Sequence, residues 1–393
     1  MQLAPNLENA VSHAEVVIVG SGLFGLTIAE RIASQTSKRV AVVEKRSEIG
    51  GNAFSYFDSK TGIEIHKYGS HLFHTSNERV WEYVNSFTKF SNYRHKVFTK
   101  HNGTIYSIPI NLHTLSQFFG LDLDPSAARE MLSRTRLNTQ EEITNFEDKA
   151  ISAVGLEIYE AFFKNYTKKQ WQTDPHLLPS EVFSRLPIRL DLNSDYFDDK
   201  YQGLPEEGYG AWFAKMVDSP QIEVVLNTDY FDLKREMDLS EKLIVYTGPV
   251  DRYFNYSHGE LSWRTLDFEY EQLDVPDFQG TAVMNYADIP PTYTRIHEFK
   301  HLHPERKYSS SETIIAREFS RKAESSDEPY YPVNSPEDRR ILNLYRNEIE
   351  KEEGVFFGGR LGSYQYLDMH MAIASALSVF ENQIFPHLSA VNS

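Results

Sequence analysis

The run Gly20-Ser21-Gly22-Leu23-Phe24-Gly25 constrains the fold more than any other, because of what flanks it. Ahead of it, residues 15–20 (EVVIVG) are continuously apolar and β-branched, as a central parallel strand requires. Behind it, Ile28, Ala29, Ile32 and Ala33 recur at helical spacing, and residues 39–44 (RVAVVE) read as a second buried strand. Strand, helix and strand in so short a span make a βαβ unit, with GxGxxG at its first turn. Gly20 permits the tight turn, Gly22 lets a pyrophosphate approach the backbone, and Gly25 lets helix pack on strand. Phe24 sits in the first helical turn, where free N–H groups face the phosphates. Glu44 ends the second strand, placed for the hydroxyls of an adenosine ribose and unfavourable to NADP.

A glycine pair, Gly50-Gly51, follows Glu44 and precedes Asn52. This segment resembles the extended signature of glutathione-reductase-like flavoproteins, a superfamily that includes the amine oxidases. The resemblance implies FAD rather than NAD, with the glycines closing over its diphosphate. Residues 355–360 and the apolar helix expected at 369–380 resemble that superfamily's C-terminal flavin segment. A helix N-terminus beside the pyrimidine edge of the isoalloxazine would favour anionic reduced flavin.

The chain has 393 residues, enough for two or three domains. Residues 111–186 show helical periodicity (140–153, then 156–166) and end in a Pro-punctuated loop at 173–187. From Ile222 onward strand-like segments return, most of them alternating, which suggests an antiparallel sheet. Residues 321–338 read as loop. The expected fold class is α/β: a Rossmann-like FAD-binding domain with an α-helical insert and an antiparallel β insert. Its parts are 14–90, 207–250 and 345–390 for the FAD domain and 111–186 for the helical domain with mobile loop 173–187. The β-sheet substrate domain takes 91–110, 188–206 and 251–344.

Composition narrows the partners. A formal charge of −16 disfavours nucleic acids and anionic membrane surfaces, so an anionic ligand needs a local basic pocket. The absence of cysteine (0 in the sequence) removes disulfides, thiolate metal sites and a cysteine nucleophile, and fits a cytoplasmic protein. No run is apolar enough for a membrane span. Residues 1–14 lack a basic, apolar-cored signal and read as a short disordered lead-in. His66, His71 and His74, like His297, His301 and His303, lack acidic partners at metal-ligand spacing, so no metal is expected.

Four further segments belong together: HKYGSHLFHT (66–75), FFKNYTKKQW (162–171), DEPYYP (327–332) and GGRLGSYQYLDMH (358–370). They resemble the bacterial UDP-galactopyranose mutases, and the likeness runs from about residue 16 to 387. That resemblance implies an isomerase that interconverts UDP-galactopyranose and UDP-galactofuranose. N5 of reduced FAD is the nucleophile on the anomeric carbon, and there is no net redox change. It implies UDP and an external reductant such as NAD(P)H as partners, a homo-oligomer, and a role in cell-surface glycan synthesis.

By the same resemblance Arg185, in the 173–187 loop, and Arg295 hold the diphosphate, a task suited to a planar guanidinium fork. Tyr331 and Tyr366 bind the diphosphate through their hydroxyls; Phe162, Tyr166 and Tyr196 contact uridine. Thr167 and Trp171 lie along the same wall, and Asn285 is a polar substrate contact. Leu72 and His74 face the isoalloxazine, His74 together with the two arginines being the catalytic set. Arg360, Leu367, Asp368 and Met369 complete the flavin site with Gly20, Gly22, Phe24, Gly25, Glu44, Gly50, Gly51 and Asn52. Two rival readings share the FAD unit: an amine-oxidase-like oxidoreductase, which would need an apolar tunnel, and a non-catalytic binding protein, which would carry no flavin.

Overall fold

The computed structural model describes residues 5–135, 143–185, 188–308 and 311–390. A five-stranded parallel sheet has the order Val355–Phe357, Leu243–Tyr246, Val16–Val19, Val40–Val43, Ile222–Val225. Val16 and Ile18 pack with the helix Leu23–Gln35 on one face, while Val17 and Val19 pack with Leu233 and Tyr246 on the other. Both faces of the central strand are covered, which is why its sequence is apolar at every position rather than alternating. The strands at Ile222 and Leu243 therefore belong to this parallel sheet; the antiparallel pairing suggested for most segments beyond Ile222 starts only at Trp263.

The second sheet has seven strands in the order Tyr331–Pro332, Trp263–Leu273, Thr313–Lys322, Arg295–Glu298, Val283–Tyr286, Val97–His101, Thr104–Ile108. It is antiparallel except where Val283–Tyr286 runs parallel to Val97–His101. Helices of the 112–171 region pack beside it. Mixed α/β architecture with a Rossmann-like unit is thus the fold class.

Three boundaries differ from the sequence reading. Residues Pro5–His13 form a helix rather than a disordered lead-in, since Ala10, Val11 and Ala14 give it an apolar face that is buried on the parallel sheet. The helix expected from residue 140 begins at Phe146, because the Asn145 side chain accepts a hydrogen bond from Asp148 N–H and caps it there; residues 140–142 lie outside the described residues. The loop expected through residue 338 stops at Ser335, which forms a capping box with Asp338 at the start of the helix Pro336–Ile349.

The elements are tied together at Glu64, a carboxylate only 1% exposed. It accepts hydrogen bonds from Ser55 Oγ (2.5 Å), Tyr209 N–H (3.3 Å) and Arg306 Nη1 (2.7 Å), and His303 Nε2 lies 3.1 Å away. Burial alone would raise its pKa, but these partners, led by His303, hold it well below the carboxylate range. Because the folded pKa is depressed, this contribution to stability is present above about pH 4 and is lost as pH falls toward the folded value. Removing one partner of a buried ion pair costs about 3–5 kcal/mol. Glu64→Ala is therefore expected to lose that much in urea denaturation at pH 7, and the gap to wild type should narrow at pH 3.

Candidate functional site

Gly20 takes φ +95°, and a Cβ there would fall 2.3 Å from Thr247 Oγ1, so only glycine makes this turn. A Cβ on Gly25 would lie 2.1 Å from the Gly20 carbonyl oxygen, since helix and strand touch there. Gly22 has nothing within 4 Å of its Cβ position on the protein side: its backbone faces open space. That space is a cavity of about 740 Å³ at the carboxyl ends of the parallel strands, where open α/β sheets bind their ligands. Gly20, Gly22, Phe24, Glu44, Gly50, Gly51, Asn52, Arg360, Leu367 and Met369 all line it.

Glu44 is buried and its carboxylate accepts from Ser21 N–H (2.8 Å), Ser21 Oγ (2.7 Å) and Arg46 N–H (2.9 Å). The Arg46 guanidinium stacks over Tyr68 and donates through Nη2 to Asn52 and Glu328, both at 2.9 Å. Its Nη1 is buried, has no hydrogen-bond partner among the described residues, and belongs to a side chain on the cavity wall. A buried donor left unpaired costs free energy unless a ligand takes it. Glycine backbone without side chains and a spare guanidinium donor suit the diphosphate of a dinucleotide.

From the HKYGSHLFHT loop it is His71, rather than His74 or Leu72, that lines this cavity. His71 is fixed on three sides: its N–H donates to His66 Nδ1 (3.1 Å), its carbonyl accepts from Tyr209 Oη (3.0 Å), and its Nδ1 meets the Gly69 carbonyl at 2.8 Å. Burial pushes its pKa down to about 4, so the ring is neutral near pH 7. A carbonyl partner puts the proton on Nδ1 and leaves Nε2 as an acceptor. His74 turns the other way, 2.6 Å from Asp199 through Nδ1 and stacked on Phe197 with ring centroids 3.7 Å apart. Asp368 stands at the N-cap position of the helix Met369–Val379, without a side-chain capping hydrogen bond, and does not line the wall. His74, Asp368 and His370 bring ligand atoms within 4.8 Å of one another, a grouping their sequence spacing conceals.

The antiparallel sheet assembles the second half of the site by register. Asn285 pairs directly with Arg295, and Arg295 directly with Glu318, so the three side chains stand in a row on one face. Arg295 donates to Tyr166 Oη on the helix Asn165–Trp171, and its Nε lies 3.3 Å from Glu318 Oε1, too poorly aligned for a hydrogen bond. Burial disfavours this guanidinium's charge, but Glu318, together with Tyr166, Tyr331 and Tyr196, more than offsets it and holds the pKa above the ordinary arginine value. Burial would likewise raise Glu318, yet Arg295 and His297 hold it down to about 2. Asn285 Oδ1 is buried without a partner beside them.

Tyr331 and Tyr366 stack at 5.8 Å, and the Arg360 guanidinium lies over the Tyr366 ring at 4.9 Å while donating to the carbonyls of Tyr330 and Leu367. Since Arg360 also lines the dinucleotide cavity, this stack joins the two halves. Tyr196 is held by its N–H to the His95 carbonyl (2.8 Å). Thr167 is buried on the Asn165–Trp171 helix and Trp171 ends it. Phe162 is core: Tyr106, Phe118 and His101 surround its ring. Arg185 closes a 3-10 turn, Ser180–Arg185; its side chain lies outside the described portion.

A family model described as UDP-galactopyranose mutase matches residues 161–366, and one described as an NAD(P)-binding Rossmann-like domain matches 18–87. A probable UDP-galactopyranose mutase of Klebsiella pneumoniae is 39% identical over 367 residues, covering 93% of this chain and 94% of the relative. A dTDP-fucopyranose mutase of Escherichia coli is 38% identical over 366 residues (92% and 96% covered), and a UDP-galactopyranose mutase of Mycoplasma genitalium 31% over 383 (92% and 93%). A crystal structure of reduced UDP-galactopyranose mutase has the same fold, with a TM-score of 0.74 at 15% identity and 94% of each chain covered. The chain belongs to the UDP-galactopyranose mutase family and is an isomerase of that class.

Proposed function

We propose that this protein interconverts UDP-galactopyranose and UDP-galactofuranose on reduced FAD, without net redox change. One observation carries the reading beyond family membership: a half-buried guanidinium, Arg295, set among Tyr166, Asn285 and Glu318 in a chain of net charge −16. Such a cation is costly to bury and repays that cost when an anionic ligand such as a diphosphate completes its coordination.

In this reading Gly22, Gly50 and Gly51 cradle the FAD diphosphate, Glu44 takes the ribose hydroxyls, and the spare Arg46 Nη1 pairs a phosphate oxygen. The N-terminus of the helix Met369–Val379 favours negative charge on the reduced flavin. When bound and reduced, FAD supplies a nucleophilic nitrogen to the anomeric carbon, so the protein needs no nucleophile of its own. The chain's residues then bind, orient and shield. Arg295, Tyr331 and Tyr366 hold the diphosphate with Arg185, carried in by the 173–187 segment. Tyr166, Thr167, Trp171 and Tyr196 form the uridine wall. Neutral His71 presents an acceptor nitrogen toward the flavin. We further assign the three-part domain division, a homo-oligomeric state and an external NAD(P)H-type reductant to this reading.

A second substrate pair deserves direct comparison, because the dTDP-fucopyranose mutase relative is nearly as similar. It differs by a base methyl, the ribose 2′-hydroxyl and the hexose 6-hydroxyl, and a single such change is discriminated by a binding pocket by about 10–200-fold. Dithionite-reduced holoenzyme is expected to interconvert the two UDP-galactoses, with kcat/KM at least about tenfold above that for dTDP-fucopyranose. Chromatography of the nucleotide sugars checks both. Equal turnover by fully oxidised enzyme would sink the nucleophile mechanism, and the reverse preference would reassign the substrate. Arg295→Ala and Arg185→Ala should each lower kcat/KM by about 100-fold or more, as expected on losing a charged phosphate contact, with FAD stoichiometry unchanged. Near-wild-type turnover in either variant removes that arginine from the site.

A further inference from the structure

One lysine next to the proposed uridine wall has an arrangement that the reaction itself does not call for. Lys169 is half-buried on the helix Asn165–Trp171, and its Nζ donates to four backbone carbonyls: Tyr286 (2.6 Å), Asp288 (3.0 Å), Pro291 (3.1 Å) and Tyr293 (3.0 Å). An ammonium has three protons, so four carbonyls converge on one cation and share them. Tyr286 ends the strand Val283–Tyr286, and the other three belong to the connection from it to the strand Arg295–Glu298. The closest carboxylate in the sequence of that connection, Asp288, is already engaged by His101 Nδ1 (2.6 Å) and Asn102 N–H (2.8 Å). Lys169 therefore acts on the backbone and not through a salt bridge.

The position matters. Lys169 lies three residues from Tyr166, hence on the same side of the helix, and Tyr166 receives the Arg295 hydrogen bond. Tyr286 follows Asn285 and Tyr293 stands two residues before Arg295. One ammonium thus grips the loop that joins two substrate-facing strands while standing on the helix that supplies the opposite wall. The same helix end is held once more, by Ser320 Oγ donating to the Gln170 carbonyl at 2.6 Å.

We propose that Lys169 is a positioning residue that holds the helix wall (Tyr166, Thr167, Trp171) in register with the strand wall (Asn285, Arg295), so that its charge sets nucleotide-sugar affinity. The proposal rests on the substrate reading above. Burial pushes the Lys169 pKa down to about 8, with Asp288 opposing. Facing it are Asp288, Tyr286 and Tyr293 from the loop, Asp267 and Arg321 across a neighbouring cavity of about 380 Å³, and Lys168 on its own helix. Above pH 8 a neutral amine has two protons for four carbonyls and no charge, so the clamp loosens.

The test uses FAD-loaded Lys169→Met and Lys169→Arg with UDP-galactopyranose between pH 6.5 and 9.5. Charge-assisted hydrogen bonds of this kind correspond to about a tenfold change or more. In Lys169→Met, KM and the UDP Kd should rise by about tenfold or more while kcat changes less than about threefold. Wild-type KM should climb above about pH 8; the methionine variant should be flat, and arginine should restore affinity and stay flat, because it does not titrate in this range. KM within about twofold of wild type in Lys169→Met, or a climb near pH 8 that persists in it, overturns the proposal. Should Lys169→Met fail to fold, a climb retained in Lys169→Arg overturns it equally. Amide exchange across residues 286–293 of the ligand-free holoenzyme should be faster in Lys169→Met, and unchanged exchange also overturns the proposal. That last measurement is independent of substrate: wild type inactive on UDP-galactopyranose would count against the substrate reading alone.

Discussion

Arg295 lies 3.3 Å from Glu318, a carboxylate buried in the antiparallel sheet, and the rest of the cleft is arranged around this pair. Taking an arginine and a glutamate out of water together is no route to stability, since the desolvation cost can match the Coulombic gain. What the pair does achieve is a fixed cation in a strongly acidic chain. Glu318 keeps the guanidinium charged and anchors it from one side. Tyr166 Oη accepts one of its hydrogen bonds from the helix side, and the skewed contact to Glu318 leaves Nε without a hydrogen-bond partner among the described residues. A bidentate ion pair in the same place would be fully satisfied; this one is not.

The sheet supplies that geometry by register. Asn285, Arg295 and Glu318 are consecutive cross-strand partners, so their side chains cannot avoid a common face. A one-residue slip of the Arg295 strand would send its guanidinium to the opposite face, away from Asn285 and Glu318. The connection between the Asn285 and Arg295 strands is gripped by Lys169 from the helical wall, which ties the register to the helix bearing Tyr166. On the other side the Tyr331–Tyr366 stack and Arg360 carry the site to the dinucleotide cavity, where His71 is locked as a neutral imidazole. Glu64 joins the strand pair that leads into the His71 loop to Arg306 and His303.

The dinucleotide unit was legible residue by residue, because each glycine answers a local steric demand: the turn at Gly20, the open approach at Gly22, the helix contact at Gly25. The α/β class and both central strands followed from apolar runs with no alternation. Less of the substrate half could be read locally. Arg295, Asn285 and Glu318 are far apart in sequence and meet only through strand pairing, so Glu318 could be found only with the register in hand. His71 and His74 share one motif, and their difference arises from partners 125 residues or more away: Asp199 on His74 and Tyr209 on His71. The N-terminal helix was missed because three small apolar residues scattered among polar ones make a face only when a sheet is there to receive it. Lys169 could not be singled out locally, since its partners are backbone carbonyls, which carry no sequence signature at all.

In the proposed function a diphosphate site and a flavin site share one cleft, with Arg295 in the first and His71 in the second. Titrating the flavin-loaded protein with UDP while recording the flavin absorbance and the tryptophan emission tests it most directly. The account predicts a saturable perturbation of both signals with a single dissociation constant, because UDP would reach Trp171 and the flavin-adjacent Tyr366–Arg360 stack in one event. Binding of UDP that leaves the flavin spectrum unmoved, or no binding by a protein carrying its full complement of flavin, would contradict it.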